Sequence, residues 1–333
     1  MRVIPEISRL VPEANLAPSV HNTQPTRWRQ LEERTILVLE DGTRRLQFGD
    51  PAGRDAAVSH GAAIEGLSLA CAERGWSVRV TRATDASDGA LRPVACLELA
   101  EGAAPDPLAA FVAERRTYRG RFAGGDPAAL ERFEVMSDVT VVRDRDGIGG
   151  LAALNDEAGL RTFRDAAFRA ELLSWMRLSR RDPRWNLDGL NAEAMEMSSL
   201  EAACAGMVLR RGVFETFDRL GVARKLVGEA AVVRSALAVL LFHRPADEDP
   251  VSTGRRFHRL WLEITAAGLA ADPMAVLADD RAASARIKTE YRIGPESRLI
   301  TAFRVGRAPP RRLSPKPRLS AAQLVADKGW RSA

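Results

Sequence analysis

The chain has 333 residues, 46% hydrophobic and 28% charged, which are ordinary proportions for a folded protein and enough for two packing units without disulfide or metal support. Its 45 arginines, 4 lysines and 44 acidic residues give a formal charge of +5, but the arginines are scattered, and aromatics are only 6%, which argues against nucleic acid as a partner. No apolar run approaches the roughly 18–20 residues of a membrane span, and the best candidate, 231–242, is broken by Arg234, so no membrane partner is expected.

Helical spacing in Ile7, Leu10, Val11 and Ala14 predicts a helix over 5–16, ended by a polar turn at 17–25. Residues 34–40 run into Asp41-Gly42 and on to 45–48, the pattern of a hairpin turning on Asp-Gly. A helix over 55–74 closed by Gly75, strands at 76–82 and 92–99, and a linker at 101–107 complete a first unit, residues 1–104. The second unit, 105–333, reads as a helix at 107–116, a basic turn at 115–122, a strand at 139–143 and a long helical region over 147–228. A buried strand at 234–242, a helix at 251–267 capped by Gly268 and a strand at 298–305 follow, and four prolines in 308–318 suggest an extended surface tail. Gly61, Ile64, Leu67, Leu69 and Gly75 align at one constant offset with Gly254, Phe257, Leu260, Leu262 and Gly268, which suggests a duplicated half-domain.

Motifs for zinc, the P-loop, a dinucleotide fingerprint and the Gly-x-Ser-x-Gly elbow are all missing, so no metal site is expected and no catalytic side chain can be assigned. Met1-Arg2 with Pro5 and Glu6 does not read as a secretory leader, and three widely spaced cysteines read as reduced thiols, so a cytoplasmic protein is expected. Two segments could carry chemistry. Ser19, His21, Asn22 and Gln24 could present donors and acceptors to a flat heterocycle, or could equally be the local bonds of a helix-ending turn. Arg115-Arg116-Thr117-Tyr118-Arg119 could grip a phosphate, or be a solvated basic face.

Pro18 to Pro25 and Arg115 to Arg119 together resemble the two hallmark segments of the FMN-dependent nitroreductase family. With Asp188-Gly189-Leu190, Gly268-Leu269-Ala270 and the Arg304 to Arg307 strand, nearly the whole chain resembles the fused, Acg-type branch of NAD(P)H nitroreductases. The resemblance implies an α+β fold of two fused, pseudo-symmetric half-domains, with mixed or antiparallel sheets flanked by helices. It implies one FMN per chain, gripped at phosphate and ribityl by Arg115, Thr117, Arg119 and Arg307, with Pro18, Ser19 and Asn22 along the ring and His21 and Gln24 in the same loop. Thr26 stands where the family often has Trp, and Trp175, Met176, Trp185, Met195 and Met197 would belong either to a bundle core or to a lid over the flavin. The implied function is electron transfer from NAD(P)H to a small, flat electrophile such as a nitroaromatic or quinone, by a pseudo-dimeric monomer or a homodimer. Flavin sequestration without turnover, and oxidation of a biosynthetic intermediate, are the alternatives on the same fold.

Overall fold

A computed structural model describes residues 5–83, 89–310 and 316–326. Helix α1 (Ile7–Ala14) lays Leu10, Val11 and Ala14 against α2 (Arg54–Ala72). Between them β1 (Thr26–Glu32) and β2 (Thr35–Asp41) form a tight hairpin, and β3 (Trp76–Arg82) and β4 (Leu91–Glu101) complete an antiparallel sheet of order β1-β2-β4-β3. The hairpin therefore turns before Thr35 and not at Asp41-Gly42. The buried Asp41 carboxylate accepts from Thr43 N–H at 3.1 Å and pairs with Arg27 at 2.9 Å, which coils the chain into the 3-10 turn Gly42–Arg44 and leaves 45–48 without a strand.

Of the helix expected at 107–116, only the 3-10 turn Pro107–Phe111 forms, capped by the Asp106 carboxylate. Strand β5 (Val139–Val142) leads into an insertion, 143–237: α3 (Arg145–Arg164), α4 (Ala166–Trp175), the short parallel pair β6 (Met176–Arg177) and β7 (Leu190–Asn191), then α5 (Ser199–Val208), α6 (Val213–Arg219) and α7 (Ala223–Val227). After it come β8 (Ala238–Pro245), α8 (Pro250–Ala266), β9 (Ala270–Pro273) and β10 (Ser297–Gly306), giving a second antiparallel sheet of order β5-β8-β10-β9. The fold is α+β, and no helix among the described residues is long and apolar enough to cross a membrane.

The helices α2 and α8 cross at glycine on both sides. A Cβ on Gly61 would stand 2.0 Å from the Val251 carbonyl oxygen, and one on Gly254 would stand 2.1 Å from that of Val58, so neither position accepts a side chain without backbone movement. Around this contact Glu65 on α2 accepts from Arg255 and Arg259 on α8, each at 2.8 Å. The tail returns to the first sheet rather than trailing over the surface, although 311–315 lie outside the described residues. Leu319 and Leu324 enter the core formed by Leu10, Trp28, Ile36 and Leu67, and Ala326 N–H donates to the Trp28 carbonyl at 2.7 Å.

Candidate functional site

A cavity of about 1580 Å³ opens where the turn after α1, the Arg115–Arg119 segment, the insertion and the tail converge. Pro18, Ser19, His21, Asn22, Arg115, Thr117 and Arg119 line it together. The turn is held in an unusual conformation: His21, Asn22 and Gln24 have φ of 44°, 53° and 50°, the left-handed region that non-glycine residues rarely adopt. Such backbone persists only where surrounding bonds over-determine it. Here Ser19 Oγ accepts from Gln24 N–H at 3.0 Å, Val20 N–H donates to Ser59 Oγ at 3.1 Å, and Gln24 N–H₂ donates to the Leu187 carbonyl at 2.8 Å.

Two of the sequence-read site residues lie elsewhere. Gln24 is buried behind the turn, where its Oε1 accepts from Asn15 at 2.9 Å and from Leu319 N–H at 2.8 Å; its amide is consumed in tying α1, the insertion and the tail together. Arg307 is exposed at the end of β10 and outside the cavity, where its backbone exchanges bonds with Ala123 and Gly124. The chain-end cations on the cavity wall are Lys316 and Arg318. Sequence gave little signal for them, because a proline-rich stretch has no periodicity to show where it docks.

Those cations meet the arginine segment. Arg115 donates to the Leu16 carbonyl at 2.9 Å and lies 4.6 Å from the Trp261 ring centroid. Arg318 donates to Asn22 Oδ1 and the Pro317 carbonyl, both at 2.8 Å, and Lys316 donates to the Ala113 carbonyl at 2.8 Å. The bonds of these three groups go to neutral oxygens, and Nε of both Arg115 and Arg318 is buried without a hydrogen-bond partner. Burial, and then neighbouring cations, push Lys316 down to about 6, Arg115 to about 9 and Arg318 to about 10; Arg116 contributes to all three. Asn22 thus serves the wall indirectly, since its Oδ1 holds Arg318 while its N–H₂ donates to the Gly189 and Pro317 carbonyls.

Farther along, burial and then Arg119 push His21 down to about 4, so its imidazole is neutral near pH 7. Arg119 itself donates to the Ala194 carbonyl at 2.9 Å. Another stretch of wall is acidic: burial, and then the neighbouring acids, raise Asp55 and Asp279 well above the usual carboxylate range.

The insertion closes the cavity through Gly189, Leu190, Glu193 and Ala194. Its anchor is Asp188, which is fully buried and paired with Arg177 at 2.9 Å, with Arg184 four residues before it, and with Arg44 from the first sheet's 3-10 turn. Those arginines hold the Asp188 carboxyl below its ordinary value although burial alone would raise it. Met176 and Trp185 are core residues of the insertion; Trp175 sits under the guanidiniums of Arg44 and Arg177.

No protein-family model matches the chain. It is 30% identical over 165 residues to the Mycobacterium tuberculosis protein named "Putative NAD(P)H nitroreductase Rv3131", covering 48% of this chain and 47% of that protein. It is 36% identical over 72 residues to "Putative NAD(P)H nitroreductase acg" of the same species, 22% of each chain. The chain thus spans about half the length of the first of these curated relatives. Among solved structures, the FMN and NADPH-dependent nitroreductase NfnB of Sphigopyxis sp. strain HMH covers 68% of this chain and 100% of its own at 17% identity, with a TM-score of 0.37, too slight a likeness to bear on what this chain does.

Proposed function

We propose, from the premise that the chain belongs to the nitroreductase family, that it is a cytoplasmic FMN-dependent oxidoreductase taking electrons from NAD(P)H to a flat electrophile such as a nitroaromatic or quinone. The observation that carries this is the cationic wall. Arg115 and Arg318 are crowded together beside Lys316, which burial and their charge hold unprotonated near pH 7, with no carboxylate among the bonded partners of the three, and two guanidinium Nε atoms are left over. A phosphate dianion would relieve that repulsion and take up the spare donors.

In this reading Arg115, Lys316 and Arg318 hold the FMN phosphate, with Thr117 beside them. Pro18, Ser19 and Asn22 shape the turn that borders the ring, and neutral His21 offers it a hydrogen-bonding edge. Bound FMN supplies hydride transfer between nicotinamide and acceptor. Arg119, steadied by Ala194, presents a fixed cation for negative charge that develops on reduction. The roof formed by 189–194 keeps bulk water off the reacting face. The same reading takes 1–104 and 105–333 as two fused half-domains, supported by the equal strand order of the two sheets and the Gly61–Gly254 crossing.

One observation favours the sequestering alternative: the roof is pinned to the first sheet's side by the buried Asp188 and by the Asn22–Gly189 bond. Anaerobic addition of NADPH or NADH to the FMN-loaded chain separates the two. Rapid bleaching of one FMN per chain is the expected result; a bound flavin that stays yellow would establish sequestration, and a chain that binds no FMN would remove both.

A further inference from the structure

The insertion carries an exposed surface that the cavity does not use. Between α6 and α7 the chain turns through Leu220, Gly221 and Val222, with Gly221 at φ 71° and Val222 N–H donating to the Phe217 carbonyl at 2.9 Å. On the inward side, Phe214 and Ala223 are buried in the insertion's core. The outward side has Leu220 at 68% and Leu226 at 47% exposure, interleaved with exposed Arg219, Arg224 and Lys225. Five of the eight exposed large apolar residues among those described fall between positions 200 and 226. Apolar side chains concentrated in this way signal a surface that is covered in use.

The sign of the charge decides what covers it. The acids of the stretch are engaged within the insertion: Asp218 pairs with Arg164 at 2.9 Å, and Glu215 bonds Arg169 and the Gly212 N–H. The outward charge of the turn is therefore positive. A second copy across a twofold axis would set Arg219, Arg224 and Lys225 against their own counterparts, so the partner is anionic. Leu220 stands on the turn between two short helices and Leu226 on the second of them, and their spacing among cations suits a fluid surface better than a shaped one. We infer that the α6–α7 turn docks the protein on an anionic lipid surface, with Leu220 and Leu226 entering the headgroup–acyl boundary and the three cations resting among the headgroup phosphates. Such docking needs no membrane-spanning element.

Sedimentation of the full chain with vesicles of phosphatidylcholine, and of phosphatidylcholine mixed equally with phosphatidylglycerol, tests this. The chain should pellet with the mixed vesicles only, and less as salt rises. A dye on Cys204, an exposed thiol of the insertion, should shift its emission with the same vesicles; Cys71 on α2 is buried and Cys96 on β4 half-buried. The double variant Arg224→Glu/Lys225→Glu should lose more than tenfold in partitioning, at about fivefold for each cation near the surface. Leu220→Ser should lose several-fold, with an unchanged melting temperature because the side chain is already in water. Absence of binding to mixed vesicles at low salt, or equal binding to both kinds, would overturn the inference. So would retention on polyglutamate without vesicle binding, which would mark an acidic protein as partner, or a dimer dispersed by Leu220→Ser, which would mark a second copy.

Discussion

The two four-stranded sheets share one strand order and differ at one joint. In the first, β1 and β2 meet through Glu33 and Arg34; in the second, the corresponding β5 and β8 are separated by residues 143–237. A hairpin turn is the place where a sheet accepts a long insertion at little cost, because the strand ends stay adjacent and the closure entropy grows only slowly with loop length. The strand order is thus the same twice, while what each part of the chain brings to the cavity differs. Residues before 104 line it with the left-handed turn, and residues after 105 line it with Arg115, Thr117, Arg119 and the roof. What distinguishes the two sheets is what joins and borders their strands.

The sharpest way to break that comparison is to detach the insertion. Asp188→Asn would leave the buried Arg44 and Arg177, with the half-exposed Arg184, around a neutral amide, and loss of one partner of a buried charge network costs about 3–5 kcal/mol. Denaturant unfolding should show a loss of that size; less than about 1 kcal/mol would mean that the insertion is anchored elsewhere. Next come the cations that join the halves. Arg115→Ala and Arg318→Ala each remove a charged contact of about 1.5–3 kcal/mol, roughly a 10- to 150-fold weaker FMN by fluorescence titration. Unchanged affinity in both would return the wall to a purely structural role.

A smaller effect follows from Lys316. With its pKa at about 6 instead of 10.5, the ligand-free folded chain lacks a proton that the unfolded chain holds between those values, so its stability rises with pH across that window. A bound phosphate dianion reverses this by restoring the ammonium. Titration calorimetry of FMN at pH 8 in two buffers of different ionisation heat should therefore show uptake of up to one proton, lost in Lys316→Met. The smallest effect belongs to Arg307→Ala: an exposed residue outside the cavity should change FMN affinity by no more than about 0.5 kcal/mol. A larger loss would restore the chain-end contact that the sequence pattern suggested.

Local structure is legible in this sequence and long-range contacts are not. The glycine-closed helices and the strands at 76–82 and 298–305 carry their own periodicity and stop signals, whereas the offset that suggested duplication did not say that Gly61 and Gly254 meet at the helix crossing. Asp-Gly at 41–42 misled because its carboxylate answers to Arg27, fourteen positions earlier, rather than to a hairpin. Gln24 looked like a ligand contact because nothing in a sequence says that Leu187 and Leu319 come to claim its amide. Arg184 and Asp188 sit at helical spacing and could be paired by eye; Arg44, 144 residues away, could not.

The return of the tail to the first sheet bears on how the molecule is made. Arg29 and Ala326 are joined by a hydrogen bond across 297 residues, and Leu319 and Leu324 fill a core whose other fully buried members all lie before position 100. During synthesis the strands of the first sheet leave the ribosome with an open apolar seam well before the segment that seals it is translated. The sheet made first is consequently finished only after the strands of the second have been made. Its seam stays exposed over that interval, in which non-native association competes with closure.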